Sequence, residues 1–116
     1  MNRSDVLRNL LEFNKPVSAL AASLSKLDWD YKGQPLIVMA FQIQEVLKRF
    51  LAGEYSAQEI EDWANLIECR EDLEFEENKQ EKIANVIHCL ANPALEGEIT
   101  TDSCKAYIAS LDCITD

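Results

Sequence analysis

Apolar residues recur along this chain at helical spacing and divide it into short amphipathic segments. Val6, Leu7, Leu10 and Leu11 lie three and four residues apart and share one face of a first helix. Ser4 can cap it, and Asp5 suits the positive end of its dipole. Pro16 is placed to open a second helix in its first turn, with Val17, Leu20, Ala21, Leu24 and Leu27 as the stripe. Asp28 to Gly33, DWDYKG, reads as a turn. From Pro35 the pattern predicts one central, mostly buried helix. Leu36–Phe41 is apolar all round, and Ile43, Val46, Leu47, Phe50 and Leu51 continue the period. The first half would also suit a buried strand, but no strand partner is visible nearby in sequence. Lys48 and Arg49 complement the dipole at the helix end, and Gly53 is placed to close it.

Ser56 and Glu59 then form a capping box. The hydroxyl can accept the third amide of the helix while Glu59 reaches back, and Tyr55 and Ile60 stand where a hydrophobic staple requires them. Ile60, Trp63, Ala64 and Ile67 make the inner stripe of a helix expected to run to Arg70 or beyond. Glu61, Asn65, Glu68 and Asp72 follow at i, i+4, i+7 and i+11 on the opposite side. Leu66, Cys69 and Leu73 flank the stripe, and Glu74–Gln80 reads as a loop. Ile83, Ala84, Val86, Ile87 and Leu90 predict a further helix, closed by Asn92-Pro93. After the connection NPALEGEIT, Thr100 or Thr101 can cap a last helix with Cys104, Tyr107, Ile108 and Leu111 inside. Only three Gly and three Pro in 116 residues favour helices over many short strands. The expectation is an all-α fold, a compact single-domain bundle of about five or six helices spanning residues 1–116.

Charge changes this picture most. The chain carries a formal net charge of −10, and its acids are concentrated. Between Gly53 and Glu77 stand Glu54, Glu59, Glu61, Asp62, Glu68, Glu71, Asp72, Glu74, Glu76 and Glu77, against one base, Arg70. A pI near 4.5 argues against direct nucleic-acid binding, which needs Lys and Arg on phosphates. It argues equally against anionic lipid and for a basic protein partner. No window has the apolar length of a membrane span, and the N-terminus lacks an apolar signal core and cleavage site, so the expected location is cytoplasmic.

Candidate chemistry is sparse. Cys69, Cys89, Cys104 and Cys113 contain no C-x-x-C pair, and the single histidine, His88, adjoins Cys89, so a zinc site is not expected. The cysteines read as reduced core residues. DWDYKG has acids at the first and third positions and Gly at the sixth of a calcium loop. Lys32 at the fifth and Met39 at the twelfth exclude calcium. There is no nucleophile elbow or phosphate-binding glycine loop. A His88–Cys89 dyad fails because adjacent helix residues point about 100° apart. The chain is read as a binding protein without catalytic residues, metal or cofactor. The acidic helix face, with no Lys at i+4 to relieve its repulsion, is the candidate partner-binding surface: Glu61, Asn65, Glu68, Asp72 and Glu76. Trp29, Tyr31 and Tyr55 are candidate aromatic anchors, whereas Trp63 reads as core. Two rivals are an acidic adaptor for some other basic protein and, ranked last, an acid-rich hydrolase.

Two motifs add a family. The first comprises Gly53, Ser56, Ala57, Glu59, Ile60, Trp63, Ala64, Ile67, Glu68, Arg70, Glu71, Asp72, Leu73, Phe75 and Glu76. The second runs from Leu90 through Asn92, Pro93, Leu95 and Gly97 to Thr100. Together they resemble the small helical bacterial immunity proteins of the colicin D and contact-dependent growth inhibition type, over roughly residues 50–100. The resemblance implies a cytoplasmic protein that binds the C-terminal toxic domain of a cognate toxin and neutralises it without chemistry of its own. It implies that Ser56, Trp63, Asn92 and Pro93 hold the fold. It also implies that the toxin is often a nuclease, including transfer-RNA-cleaving ones. Such a domain must be basic to hold its substrate, and an acidic inhibitor is its electrostatic complement.

Overall fold

The structure, a computed structural model, describes residues 3–27, 35–68, 70 and 72–112. Within them the order is α1 (Arg3–Glu12), α2 (Val17–Leu24), β1 (Leu36–Val38), α3 (Ala40–Leu51), α4 (Ala57–Glu68), β2 (Leu73–Phe75), α5 (Gln80–Ala91), α6 (Pro93–Glu96) and α7 (Thr101–Asp112). The fold is all-α, with seven helices among the described residues and one two-stranded sheet as an accessory. The turn at Asp28–Gly33, with Trp29 and Tyr31, lies outside the described residues, as do Cys69, Glu71 and Cys113.

The predicted stripes supply most of the core, although Ala84 of the α5 stripe is exposed and Val17, Ala21, Leu27, Phe50, Leu51, Tyr107 and Ile108 are only half-buried. Val6, Leu7, Leu10 and Leu11 of α1, Leu20 and Leu24 of α2, and Ile43, Val46 and Leu47 of α3 enter one core. So do Ile60, Trp63, Ala64 and Ile67 of α4, Ile83, Val86, Ile87 and Leu90 of α5, and Cys104 and Leu111 of α7. The Cα radius of gyration is 13.7 Å, close to the ~13 Å of a single domain of about 100 residues. α4 packs chiefly on α5, and α3 on α7. Between the latter pair Gln44 is buried. Its amide donates to the Ile108 carbonyl at 2.9 Å and to Asp112 Oδ1 at 2.7 Å, so no buried donor is left unpaired there. Lys79 Nζ donates to the Leu111 carbonyl at 3.0 Å, satisfying the end of α7.

Two helix ends use the same device. At α3, the Gly53 amide donates to the Phe50 carbonyl and the Glu54 amide to the Arg49 carbonyl, with Gly53 at φ 87°. At α1, Phe13 donates to Leu10 and Asn14 to Asn9, but the left-handed residue is Phe13 itself, at φ 49°. Both are Schellman closures. A bulky residue at positive φ is strained, and the ring explains why it stays. Phe13 stacks on Tyr55 with centroids 4.2 Å apart and on Trp63 at 5.7 Å. Tyr55 Oη donates to the Phe13 carbonyl at 2.7 Å, and Arg49 donates to the Glu12 carbonyl and to Tyr55 Oη.

The segment after Pro35 corrects the single-helix expectation. Leu36–Val38 is a strand, and the helix begins only at Ala40. The partner is β2, paired parallel in the register Leu36 to Leu73, Ile37 to Glu74 and Val38 to Phe75. Parallel strands need a crossover, here α3 and α4, so the partner is remote in sequence. Leu73–Phe75 accordingly leaves both the apolar strip and the loop assigned to it. Extended Met39 closes the strand, and Gln42 Oε1 accepts its amide at 2.8 Å.

Candidate protein-binding face

α4 is built as its sequence requires. The Glu59 amide donates to Ser56 Oγ at 3.1 Å, and the Ser56 amide to Glu59 Oε1 at 2.9 Å, closing the capping box. Trp63 is fully buried, and its Nε1 donates to the Leu10 carbonyl at 2.7 Å. With that side fixed, Glu61 is half-exposed and Asn65 and Glu68 lie at the surface. Asn65 Nδ2 donates to the Glu61 carbonyl one turn back, at 3.1 Å. Three of the five candidate residues thus share one outward side of one helix.

The other two do not join them. α4 stops at Glu68, and Asp72 is 2% exposed. Arg70 grips it bidentately, Nε on Oδ1 and Nη2 on Oδ2, both at 2.8 Å, and Arg3 adds a third contact from α1. Residues i and i+2 do not face each other on a helix, so this clasp and a continuous helix exclude one another. Burial pushes the Asp72 carboxyl up, but hydrogen bonds from Arg70 and Arg3 outweigh it and hold the group below the usual carboxylate range. Glu76 ends the β2 pairing, its amide donating to the Val38 carbonyl at 2.9 Å. Its Oε1 accepts the Ala40 amide, also at 2.9 Å, so a carboxylate caps the N-terminus of α3. Both acids are engaged in holding the fold.

The face gains residues from elsewhere. His88 of α5 is exposed, with Nδ1 2.8 Å from Glu68 Oε2 and Nε2 3.5 Å from Glu96 Oε1 of α6. With a proton on Nδ1 the ring donates to Glu68, and the protonated imidazolium is the form this carboxylate favours. Hydrogen bonding to Glu68, aided by the charge of Glu96, raises the His88 pKa above its usual value. A raised histidine pKa stabilises the folded state in full below the unfolded value, and that contribution is lost as pH rises through the folded one. Cys89 turns the other way. It is buried, with Sγ 4.0 Å from Asn85 Oδ1, so the two neighbours form no dyad. Burial likewise pushes the Cys104 thiol up to about 11, leaving it a protonated core group.

At the other end of α4 lies a groove of ≈ 270 Å³, lined by Ala57, Gln58 and Glu61 of the helix and by Pro93, Glu98 and Ile99. The carboxylates of Glu61 and Glu98 form no ion pair or hydrogen bond among the described residues. The sequence pattern around α4 missed Glu96, Glu98 and His88 because they reach this face through tertiary packing. The available signal was two glutamates without a base in the connection before α7. Tyr55, proposed as an anchor, is spent on Phe13 and the α1 corner. Among the described residues no cluster of three or more His, Cys, Asp and Glu side chains could hold a metal ion, and no helix is long and apolar enough to cross a membrane. No protein-family model, curated protein or solved structure matches the chain.

Proposed function

We propose that this chain is an immunity protein: in the cytoplasm it binds the toxic domain of a cognate bacterial toxin, a basic RNase, and neutralises it without chemistry of its own. The observation that carries the reading is the union of acids from distant parts of the chain on one face. Glu61 and Glu68 come from α4, Glu96 from α6 and Glu98 from the connection beyond it. Such a face steers a cationic partner and speeds association. The resemblance over residues 50–100 favours the same partner. Asn65 lies between Glu61 and Glu68 and completes the contact surface. Asp72 and Glu76 are left out of it, because both carboxylates are committed within the fold.

The test is protection. Cells expressing the toxin domain encoded directly upstream of this chain's gene should survive when the chain is co-expressed. Purified chain and toxin domain should form a one-to-one complex. Glu61→Lys with Glu68→Lys should weaken that complex roughly tenfold, chiefly through slower and less salt-sensitive association. Full protection and unchanged binding by the double variant would rule out the acidic face. No complex with that toxin domain would rule out immunity, leaving an adaptor for another basic protein.

A further inference from the structure

We propose that the groove between α4 and the α6–α7 connection receives an arginine side chain of the basic partner. The inference rests on the functional reading above and says where that partner's charge is placed. At ≈ 270 Å³ the groove falls below the ~300–1,000 Å³ of sites for drug-sized ligands, so it suits one long side chain better than a cofactor. Its lining has two chemistries. Ala57, Pro93 and Ile99 offer an apolar floor, and Glu61 and Glu98 bring two carboxylates with no cation among the lining residues. An aliphatic stem ending in a cation matches both at once. Arginine fits better than lysine because its planar, weakly hydrated guanidinium presents five donors and can serve carboxylates from two elements together. The remaining lining side chain, Gln58, has its amide nitrogen engaged by Asp62 Oδ1 at 2.9 Å. Among the described residues neither carboxylate is held in a hydrogen bond or ion pair, so both can meet an incoming charge.

The full chain, with backbone amides followed by NMR, should be titrated with n-butylguanidinium, n-butylammonium and n-butanol at low salt. The guanidinium should give saturable shifts at residues 57–61 and 97–99, bind more tightly than the ammonium, and leave the butanol weakest. Glu61→Gln with Glu98→Gln should reduce guanidinium affinity roughly tenfold, as expected for two partly exposed ion pairs, while the remaining amide spectrum stays unchanged. Equal response to butanol would make the groove merely apolar and overturn the proposal. So would tighter binding of the ammonium, insensitivity to the double substitution, or no saturable shift in these segments. No toxin enters this experiment. The groove can therefore fail while protection stands, and protection can fail while the groove binds guanidinium.

Discussion

Asp72 illustrates how one side chain can leave the role its spacing suggests. Four positions after Glu68 it completes an outward acidic line on a helical projection, yet it is buried between Arg3 and Arg70. A carboxylate whose pKa is depressed in the folded state contributes stability that is complete above its unfolded value, about 3.9, and is lost as pH falls through the folded one. Asp72→Asn should therefore cost about 3 kcal/mol at pH 7, because it removes the buried carboxylate that Arg70 grips bidentately and Arg3 contacts. The gap from wild type should narrow below about pH 4. Urea unfolding at pH 7 and pH 3 measures this, and a gap that is constant with pH would show that the carboxylate charge is not what holds the site. The sequence could not reveal this position, since Arg3 is a partner 69 residues away.

At the scale of elements, what was legible was local. The capping box at Ser56 and Glu59, the closure at Gly53, and the inner stripes of α1, α4 and α5 all follow from neighbours within about one or two turns. What was illegible was non-local. Leu36–Val38 becomes a strand only because Leu73–Phe75 arrives beside it, and α3 can start at Ala40 because Glu76 supplies its cap. Glu76 and Glu61 are alike in sequence character and differ in work. Glu76→Ala should destabilise the protein by about 1 kcal/mol, the usual cost of a lost cap, and should loosen amide protection at Ala40 in hydrogen exchange. Glu61→Ala should change stability by no more than about 0.5 kcal/mol. Equal losses would mean that Glu61 is structural and that the groove is part of the packing.

Over the whole molecule the acids form two populations. Asp72 is paired with Arg3 and Arg70 and Glu76 caps α3, while Glu61, Glu68, Glu96 and Glu98 lie on one face, where His88 meets Glu68 and Glu96. With a net charge of −10, self-repulsion should outweigh the buried ion pairs in setting the response to salt. Raising ionic strength from about 0.01 M to about 0.15 M shortens the screening length from about 30 Å to about 8 Å, and should raise the melting temperature by roughly 2–4 °C. Calorimetry at the two salt levels checks it; a fall would mean that attraction at Asp72 dominates. The bundle, its single core and the excess charge of the α4 region were all readable from composition and period. The extent of the acidic face was not, because α5 and α6 reach it only when packed.

The stack of Phe13, Tyr55 and Trp63 has an optical consequence. Trp63 is fully out of water, hydrogen-bonded through its indole to the α1 backbone and parallel to a second ring. The chain has two tryptophans, so Trp29→Phe leaves Trp63 as the sole indole fluorophore. Its emission should be blue-shifted and resistant to acrylamide quenching while α1 is docked. Partial release of α1 from α4 should shift it to the red before the α3–α7 pair loses its helical signal. Light emitted from the core would then report which end of the molecule opens first.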